Sequence, residues 1–492
     1  MSRAYHVARF AGLVLLGLAG VAPAQEPSGL QAAAALEKLL TESIARAEPS
    51  VVAIARVRRE AADEAIRPEF HPDPFRRRSP LPPPQPTDAN FVPTEYGTGV
   101  VVDRHGLVLT AYHVLGEDSE YYVTTQDRKV YRAAVKAADP RSDLAVLAVE
   151  ESQAASANFQ PIVFGEGGAL RKGQIVLTLG NPYAIARDGQ PSAGWGIVAN
   201  LARKPPPARP DSPAAGQRTL HHFGTLIQTD ARLNLGTSGG PLVNLRGEMV
   251  GLCVALAAAA GYESSAGYAI PVDATFHRVL DRLKEGREVE YGFLGIQPAN
   301  LRPEEVLAGL RGARADLVER GTPAARGGLR HNDIVTSVNG APICDTDALY
   351  LEVGRLAPQS VARLGVLRGG RPQTIDVTLS KNRVPGKKIV TVRPEAWRGL
   401  RVEYPSAYVD SEQSLHGSIL FSDEAVVLSE VEAGSVAAQA GARRGMLVSH
   451  VDGRPVRTPQ EFAAAVAGKS GAVELRLILV DRPMAIVIPP GS

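Results

Sequence analysis

The stretch Leu233–Asn244, LNLGTSGGPLVN, decides how the rest of the chain is read. It is either a glycine-rich turn that happens to carry hydroxyls or the loop of a serine nucleophile. A serine hydroxyl is a weak nucleophile at its ordinary pKa, so it needs a base, a group that orients the base, and donors for an oxyanion. Those partners must come from elsewhere in the chain. On either side lie short β-branched runs broken by turns: YGTGVVVD, GLVLTAYHVL, YYVTTQD, RAAVKAAD, DLAVLAVE, QIVLTLGNP, GIVANLA, LIQTD, PLVN, MVGLCVAL and GYAIPV. Many short strands with close turn signals predict an all-β barrel or sandwich. The helical segment DATFHRVLDRLKEG closes this unit near Gly286.

Ahead of the unit, Leu30–Ala47 has strong helix formers with apolar residues at helical spacing, and EPSVVAIARV then turns β-rich. Two proline-rich stretches, one containing HPDPFRRRSP and the other KPPPARPDSPAAGQ, read as exposed loops. Beyond the unit is a weak internal repeat. ADLVERGTPAARGGLRHNDIVTSVNGAPI and VVLSEVEAGSVAAQAGARRGMLVSHVDGRPV share the order strand, turn, short Ala-rich helix, and strand ending in NG or DG. Each copy follows a glycine-apolar segment, YGFLGI or WRGLRV, and such a repeat implies two copies of one module. The basic Ser380–Glu395 lies between them and reads as a linker.

The chain has ten histidines that could in principle serve Ser238. His113 stands out because VLTAYHVL puts it at the end of a strand, in the half of the unit opposite Ser238. The plausible orienting acid is Asp143 in DPRSDLAVL, at the mouth of an apolar strand, where burial beside an imidazole is offset by the hydrogen bond it accepts. The chain order is then His, Asp, Ser.

Taken together and in order, GTGVVVDRHGLVLTAYHVL, DPRSDLAVL, LGNPY, IQTDARLNLGTSGGPLVN and GYAIPV resemble the HtrA (Deg) family of trypsin-like serine proteases, and the two tail copies resemble the PDZ domains these proteases carry. The resemblance runs from about Pro49 to Asp481. It implies a mainly β fold, a two-barrel trypsin-like protease domain followed by two PDZ (α+β) domains. It further implies Ser238 as nucleophile, His113 as general base and Asp143 as the group that orients the imidazole, with an oxyanion hole in Gly236, Thr237 and Ser238. SSAGYAIP resembles the loop of the primary specificity pocket, which implicates Ala266, Gly267, Tyr268, Ala269 and Ile270. No acid lies in that loop to receive Lys or Arg, so small aliphatic residues are expected before the scissile bond. Phe293, Leu294, Gly295 and Ile296 resemble the carboxylate-binding loop of a PDZ domain, in which backbone N–H groups receive a peptide C-terminus. The chain departs from the family pattern at Thr237, where Asn is common, and at Ala111 and Tyr112, where two asparagines are. In the second copy Arg398 stands where an apolar residue is usual, and Met446 replaces the usual acid.

The expected division is a signal peptide over 1–24, a helical segment over 25–49, the protease domain over 50–286, PDZ domains over 290–380 and 396–482, and a linker over 381–395. Two arginines, a short apolar run and Ala22–Ala24 before Gln25 support the signal peptide, and hence export to the periplasm or cell envelope. At 492 residues the chain calls for two to four domains, and a formal charge of +2 gives no argument for nucleic acid. No nucleotide-binding loop is found, no Cys or His pair has metal-ligand spacing, and no cofactor is expected. Cys253 reads as a small buried hydrophobe, and no disulfide to Cys344 is expected. The resemblance implies ATP-independent cleavage of unfolded or damaged proteins, peptide ends as PDZ partners, and a homotrimer or larger assembly. The competing class is a chaperone or scaffold on an inactive protease fold.

Overall fold

The structure, a computed structural model, describes residues 29–58, 93, 95–155, 157–181, 189–205, 219–254, 266–408, 424–478 and 484–491. The expected signal peptide, the Arg-rich loop at His71–Pro80 and most of the second proline-rich loop lie outside the described residues. The β-rich unit folds as two barrels. The first is built from β1 (Val51–Arg58), β2 (Glu95–Val101), β3 (Leu107–Ala111), β4 (Ser119–Thr124), β5 (Val130–Asp139) and β6 (Leu144–Val149). They pair in the order β5-β4-β1-β2-β3-β6, and β5 pairs with β6 to close the ring. The second contains β7 (Ile175–Gly180), β8 (Ser192–Arg203), β9 (Leu226–Thr229), β10 (Pro241–Val243), β11 (Met249–Val254) and β12 (Gly267–Pro271), closed in the order β10-β11-β12-β9-β8-β7. Closure pairs the ring strands with one another except along the far half of β5, and such pairing is how short, apolar strands avoid intermolecular pairing.

Two helices brace the barrels. Helix α1 (Gly29–Ala47) rests on the second barrel's surface through Ser43, whose hydroxyl donates to the Leu245 carbonyl. Helix α2 (Ala274–Lys284) begins at Asp273, whose carboxylate accepts the Phe276 N–H, and its apolar face puts Phe276, Val279, Leu280 and Leu283 into a core shared by both barrels. Cys253 lies inside the second barrel, where burial pushes its thiol pKa up to about 12.

The two tail copies are PDZ-type sheets. In the first, β13 (Gly292–Phe293) precedes β14 (Ile296–Asn300), β15 (Ala313–Val318), β16 (Ile334–Val338), β17 (Ala341–Pro342), helix α3 (Thr346–Gly354), β18 (Val361–Arg368) and β19 (Arg371–Thr378), and the sheet order is β14-β15-β16-β18-β19 with β17 on β16. After β20 (Ser380–Lys381) and β21 (Ile389–Val390), the second copy repeats the plan with β22 (Leu400–Glu403), β23 (Val426–Val431), β24 (Leu447–Val451), β25 (Arg454–Pro455), helix α4 (Pro459–Val466), β26 (Val473–Ile478) and β27 (Met484–Ile488). Its order is β22-β23-β24-β26-β27 with β25 on β24.

The segment expected as a linker is part of the packed structure. β20 pairs with β13, and β21 pairs with Ala137 and Ala138 of β5. The reason is geometric: β4 pairs β5 only over Val130–Ala133, so the far half of that long strand has an open edge, which β21 covers. Lys381 is buried among Glu288, Glu290 and Glu403, at 3.0, 3.1 and 2.6 Å, and so ties the end of the protease body to the second PDZ module. Burial opposes its charge, but the three carboxylates outweigh burial and raise its pKa.

Candidate active site

The candidate site lies where the barrels meet. β3 ends at Ala111 and turns through a single 3₁₀ turn, Tyr112–Val114, which delivers His113. Asp143 sits at the corner between β5 and β6 with φ of 56°, and its carbonyl accepts the Tyr112 N–H at 2.9 Å, so strand ends and imidazole are set by one contact. Ser238 comes from the connection between β9 and β10 in the other barrel. His113 Nδ1 is 2.8 Å from Asp143 Oδ2 and 3.0 Å from Oδ1, the His113 backbone N–H donates to Oδ1 at 3.0 Å, and His113 Nε2 is 2.9 Å from Ser238 Oγ. The structure therefore brings together all three residues singled out in the sequence.

The electrostatics follow from burial and pairing. Burial alone would lower the His113 pKa, but the Asp143 charge and hydrogen bond outweigh it and raise it above 6.5. Burial alone would raise the Asp143 pKa; the charge and hydrogen bonds of His113 hold it below its ordinary value. Asp143 is thus fixed as a carboxylate that favours the protonated imidazole, and the arrangement can accept a proton from Ser238 and hold the imidazolium that results.

Gly236 has φ of +96°, and a Cβ there would run into the Asn181 carbonyl and the Tyr96 ring, so the loop before Ser238 requires glycine. Thr237 differs from its expected place among the oxyanion donors. Its N–H goes to the Asn234 carbonyl at 3.1 Å and its hydroxyl goes to the same oxygen, so it shapes the turn. Thr98 has a role that the sequence did not reveal. Its hydroxyl donates to the Gly236 carbonyl at 2.6 Å and accepts the Asn181 N–H at 2.9 Å, while its own N–H donates to the Ser238 carbonyl at 2.9 Å. The signal was present in YGTGVVVD, but nothing in a lone strand threonine marks it as the support of a loop 138 residues away.

The residues expected to line the specificity pocket lie on and just before β12. β12 alternates, so Ala269 enters the second barrel's core beside Val176, Val198 and Ile227, and Ile270 joins the shared core. Those two side chains are structural. Gly267 faces Ala231 and Leu233, Tyr268 stays half-buried, and Ala266 lies at the strand's entrance. Ser264 and Ser265, quoted with them, lie outside the described residues.

A second cluster surrounds the corner that carries Asp143. Asp139 accepts the Ser142 N–H at 2.8 Å, the Ser142 hydroxyl at 2.6 Å and the hydroxyl of Tyr291, the residue that leads into the first PDZ loop. His221 Nε2 meets the Ser142 carbonyl at 2.8 Å. Above this corner, Phe223 stacks on Tyr350 of α3 with centroids 5.4 Å apart, so the first PDZ module is docked against the protease body. Phe293, Leu294, Gly295 and Ile296 line an open pocket between the start of β14 and α3. Among the described residues no group of His, Cys, Asp and Glu has the makings of a metal site.

Comparison with known proteins agrees with this geometry. Residues 97–252 match the trypsin-like peptidase domain, and residues 292–379 and 427–479 each match a PDZ domain. The periplasmic serine endoprotease DegP of Salmonella typhimurium is 30% identical over 389 residues, covering 77% of this chain and 74% of the relative. A probable periplasmic serine endoprotease, DegP-like, of Pseudomonas putida is 30% identical over 502 residues, covering 97% and 96%. Among solved structures, an HtrA-type protease, AlgW, with a decapeptide superposes with a TM-score of 0.51 at 26% identity, covering 70% of this chain and 99% of the other.

Proposed function

This chain belongs to the HtrA (DegP) family of periplasmic serine endoproteases, and from that membership we propose that it cleaves unfolded or damaged exported proteins, without ATP, through Ser238, His113 and Asp143. The observation that carries the reading is the unbroken hydrogen-bonded line from Asp143 through His113 to Ser238 Oγ, each link 3.0 Å or less. As Ser238 Oγ attacks the scissile carbonyl, His113 Nε2 takes its proton, and Asp143 stabilises the imidazolium. The backbone N–H groups of Gly236 and Ser238 receive the tetrahedral oxyanion; loss of one such donor costs on the order of a hundredfold in rate. His113 then protonates the leaving amine. Water repeats the sequence on the acyl-enzyme.

Export by the N-terminal segment, with cleavage after Ala24, places the mature chain in the periplasm, where its relatives are named. No helix among the described residues is long and apolar enough to cross a membrane. The PDZ modules bind exposed peptide ends and regulate access, and the chain assembles as a trimer or larger oligomer; both proposals rest on family membership. A loop without an acid at Ala266–Ile270 fits Val, Ala, Ile or Leu before the scissile bond.

Digestion of casein by the mature protein and by Ser238→Ala, with sites read by mass spectrometry, tests the reading. Wild type should cut after small aliphatic residues, and Ser238→Ala should be inert with an unchanged melting temperature. Equal cleavage by the two would reject the nucleophile, and an inert wild type would favour the scaffold reading.

A further inference from the structure

We propose that Arg141, a residue of the protease body, completes the groove of the first PDZ module as a site for the free α-carboxylate of a peptide that ends in an apolar residue. The inference rests on the reading of that groove as a peptide site. Its pocket is apolar along Leu294, Ile296, Leu349 and Val353, and Arg141 stands on its wall. Arg141 Nε is buried with no hydrogen-bond partner among the described residues, and its guanidinium lies over the Tyr291 ring, 5.1 Å from the centroid. The carboxylate that acts on it, Asp139, already accepts hydrogen bonds from Ser142 and Tyr291. A half-buried cation with its Nε unpaired is costly, and an incoming carboxylate relieves that cost with charge-assisted hydrogen bonds.

Two features of the loop point the same way. The Leu294 and Gly295 amides have no acceptor among the described residues, and Gly295 holds the turn with φ of +84°. Pro298 then sits in β14, an edge strand whose other side pairs with β15. A proline is accommodated on an edge where its missing N–H faces away from the ladder, which here is the groove. A ligand strand added along β14 therefore meets no donor at that position. Recognition concentrates on the last residue, where the loop amides and Arg141 converge. The site is composite, since the PDZ module alone supplies no such cation from its own segment of the pocket wall. Its cation also lies two residues before Asp143, so a bound peptide end would touch the segment that carries the triad acid.

The test uses full-length mature protein carrying Ser238→Ala, so that the probe survives, and a fluorescein-labelled decapeptide ending in Val-Val as free acid or as C-terminal amide. Fluorescence anisotropy should show the acid binding about tenfold or more tighter than the amide. Arg141→Met should remove most of that ratio by weakening the acid alone, and Arg141→Lys, which keeps the charge, should keep part of it. An unchanged ratio in Arg141→Met would overturn the proposal. Equal weakening of acid and amide in both variants would overturn it too, by giving Arg141 a structural role. If neither peptide binds the parent, the groove reading falls, while casein cleavage by the active enzyme still judges the protease reading separately.

Discussion

The two PDZ modules share a plan and differ in what their loops do. Each sheet has the same strand order, and each carries a bulge between its first two strands, at Gln297/Pro298 and at Arg401/Val402. Gly295 and Gly399 both have φ near +85°, and a Cβ on either would collide with a helix-capping hydroxyl residue, Thr322 in one and Ser435 in the other. In the first module the loop opens onto a pocket. In the second, Arg398 takes the place of Leu294, adopts φ of +50°, and donates to the carbonyls of Lys469, Gly471, Ile488 and Pro489. The Leu400 N–H turns back to the Trp397 carbonyl at 2.9 Å. The first loop stays open to its pocket, while the second is closed on its own chain by the residue at the Leu294 position, Arg398.

The attachments differ in the same sense. The first module reaches the triad corner through Tyr291 and Asp139, whereas the second is held mainly by a buried ion cluster at Lys381 and by the Ser380–Ser406 hydroxyl contact at 2.8 Å. The largest effect should come from cutting that cluster. Lys381→Met leaves Glu290 and Glu403 without their cation and Glu288 with Lys388 alone, and removal of one partner from a buried ion pair costs about 3–5 kcal/mol. Chemical denaturation should show the second module unfolding in an earlier, separate step, with kcat/KM on a short peptide little changed. A single unshifted transition would break the contrast.

Short motifs were legible because their chemistry is local. The run of short strands and the duplicated glycine turns are each set by a few neighbours, so a barrel or sandwich and a repeated module are legible in the chain itself, whereas two barrels and PDZ sheets are what the HtrA resemblance implied. Contacts between domains were not. SKNRVPGKKIVTVRPE reads as a basic linker, and Lys381 is buried because carboxylates 93 and 22 residues away close around it. Arg141 likewise sits inside a quoted motif, DPRSDLAVL, without a hint that the first PDZ module docks over it. Tyr112 replaces a residue usual in the family, and its hydroxyl donates to the Lys387 carbonyl, a contact that exists only because the connecting segment packs back on the barrel. Ala269 and Ile270 turn into two different cores because β12 alternates, and which core each face of so short a strand meets is set by the barrels on either side of it.

A middle-sized effect should separate two buried tyrosines. Tyr291 donates to Asp139 beside the triad corner, and Tyr404 donates to Gln460 in α4 at 3.0 Å. Tyr291→Phe leaves a buried carboxylate short of one donor, a loss of about 1–3 kcal/mol. Because Asp139 also fixes Ser142, part of that loss should appear in catalysis, as a several-fold fall in kcat/KM on a short peptide that does not need the PDZ groove. Tyr404→Phe should cost about 1 kcal/mol of stability and leave kcat/KM alone. If both variants lower kcat/KM equally, the two modules are coupled to the triad alike.

The smallest effect is a shift in pH dependence, and its sign follows from the His113–Asp143 pair. General-base action needs neutral His113, and its pKa is raised above 6.5, so the acid limb of kcat/KM should lie above pH 6.5. Stability runs the other way. The imidazolium is what gains a partner on folding, so this stabilisation is fully present below the unfolded value near 6.5 and is lost as pH rises through the higher folded value. The pH at which the site works best is therefore one at which it has given up part of that support. Tyr291→Phe loosens the corner that aims Asp143 at the imidazole, so the acid limb should move down toward 6.5 by a fraction of a pH unit, while Tyr404→Phe leaves it in place. Initial rates on a short peptide between about pH 5.5 and 8.5, a range that spans the ordinary histidine pKa and values above it, measure the limb. A limb that stays fixed in Tyr291→Phe would confine the Tyr291–Asp139 bond to holding the module in place.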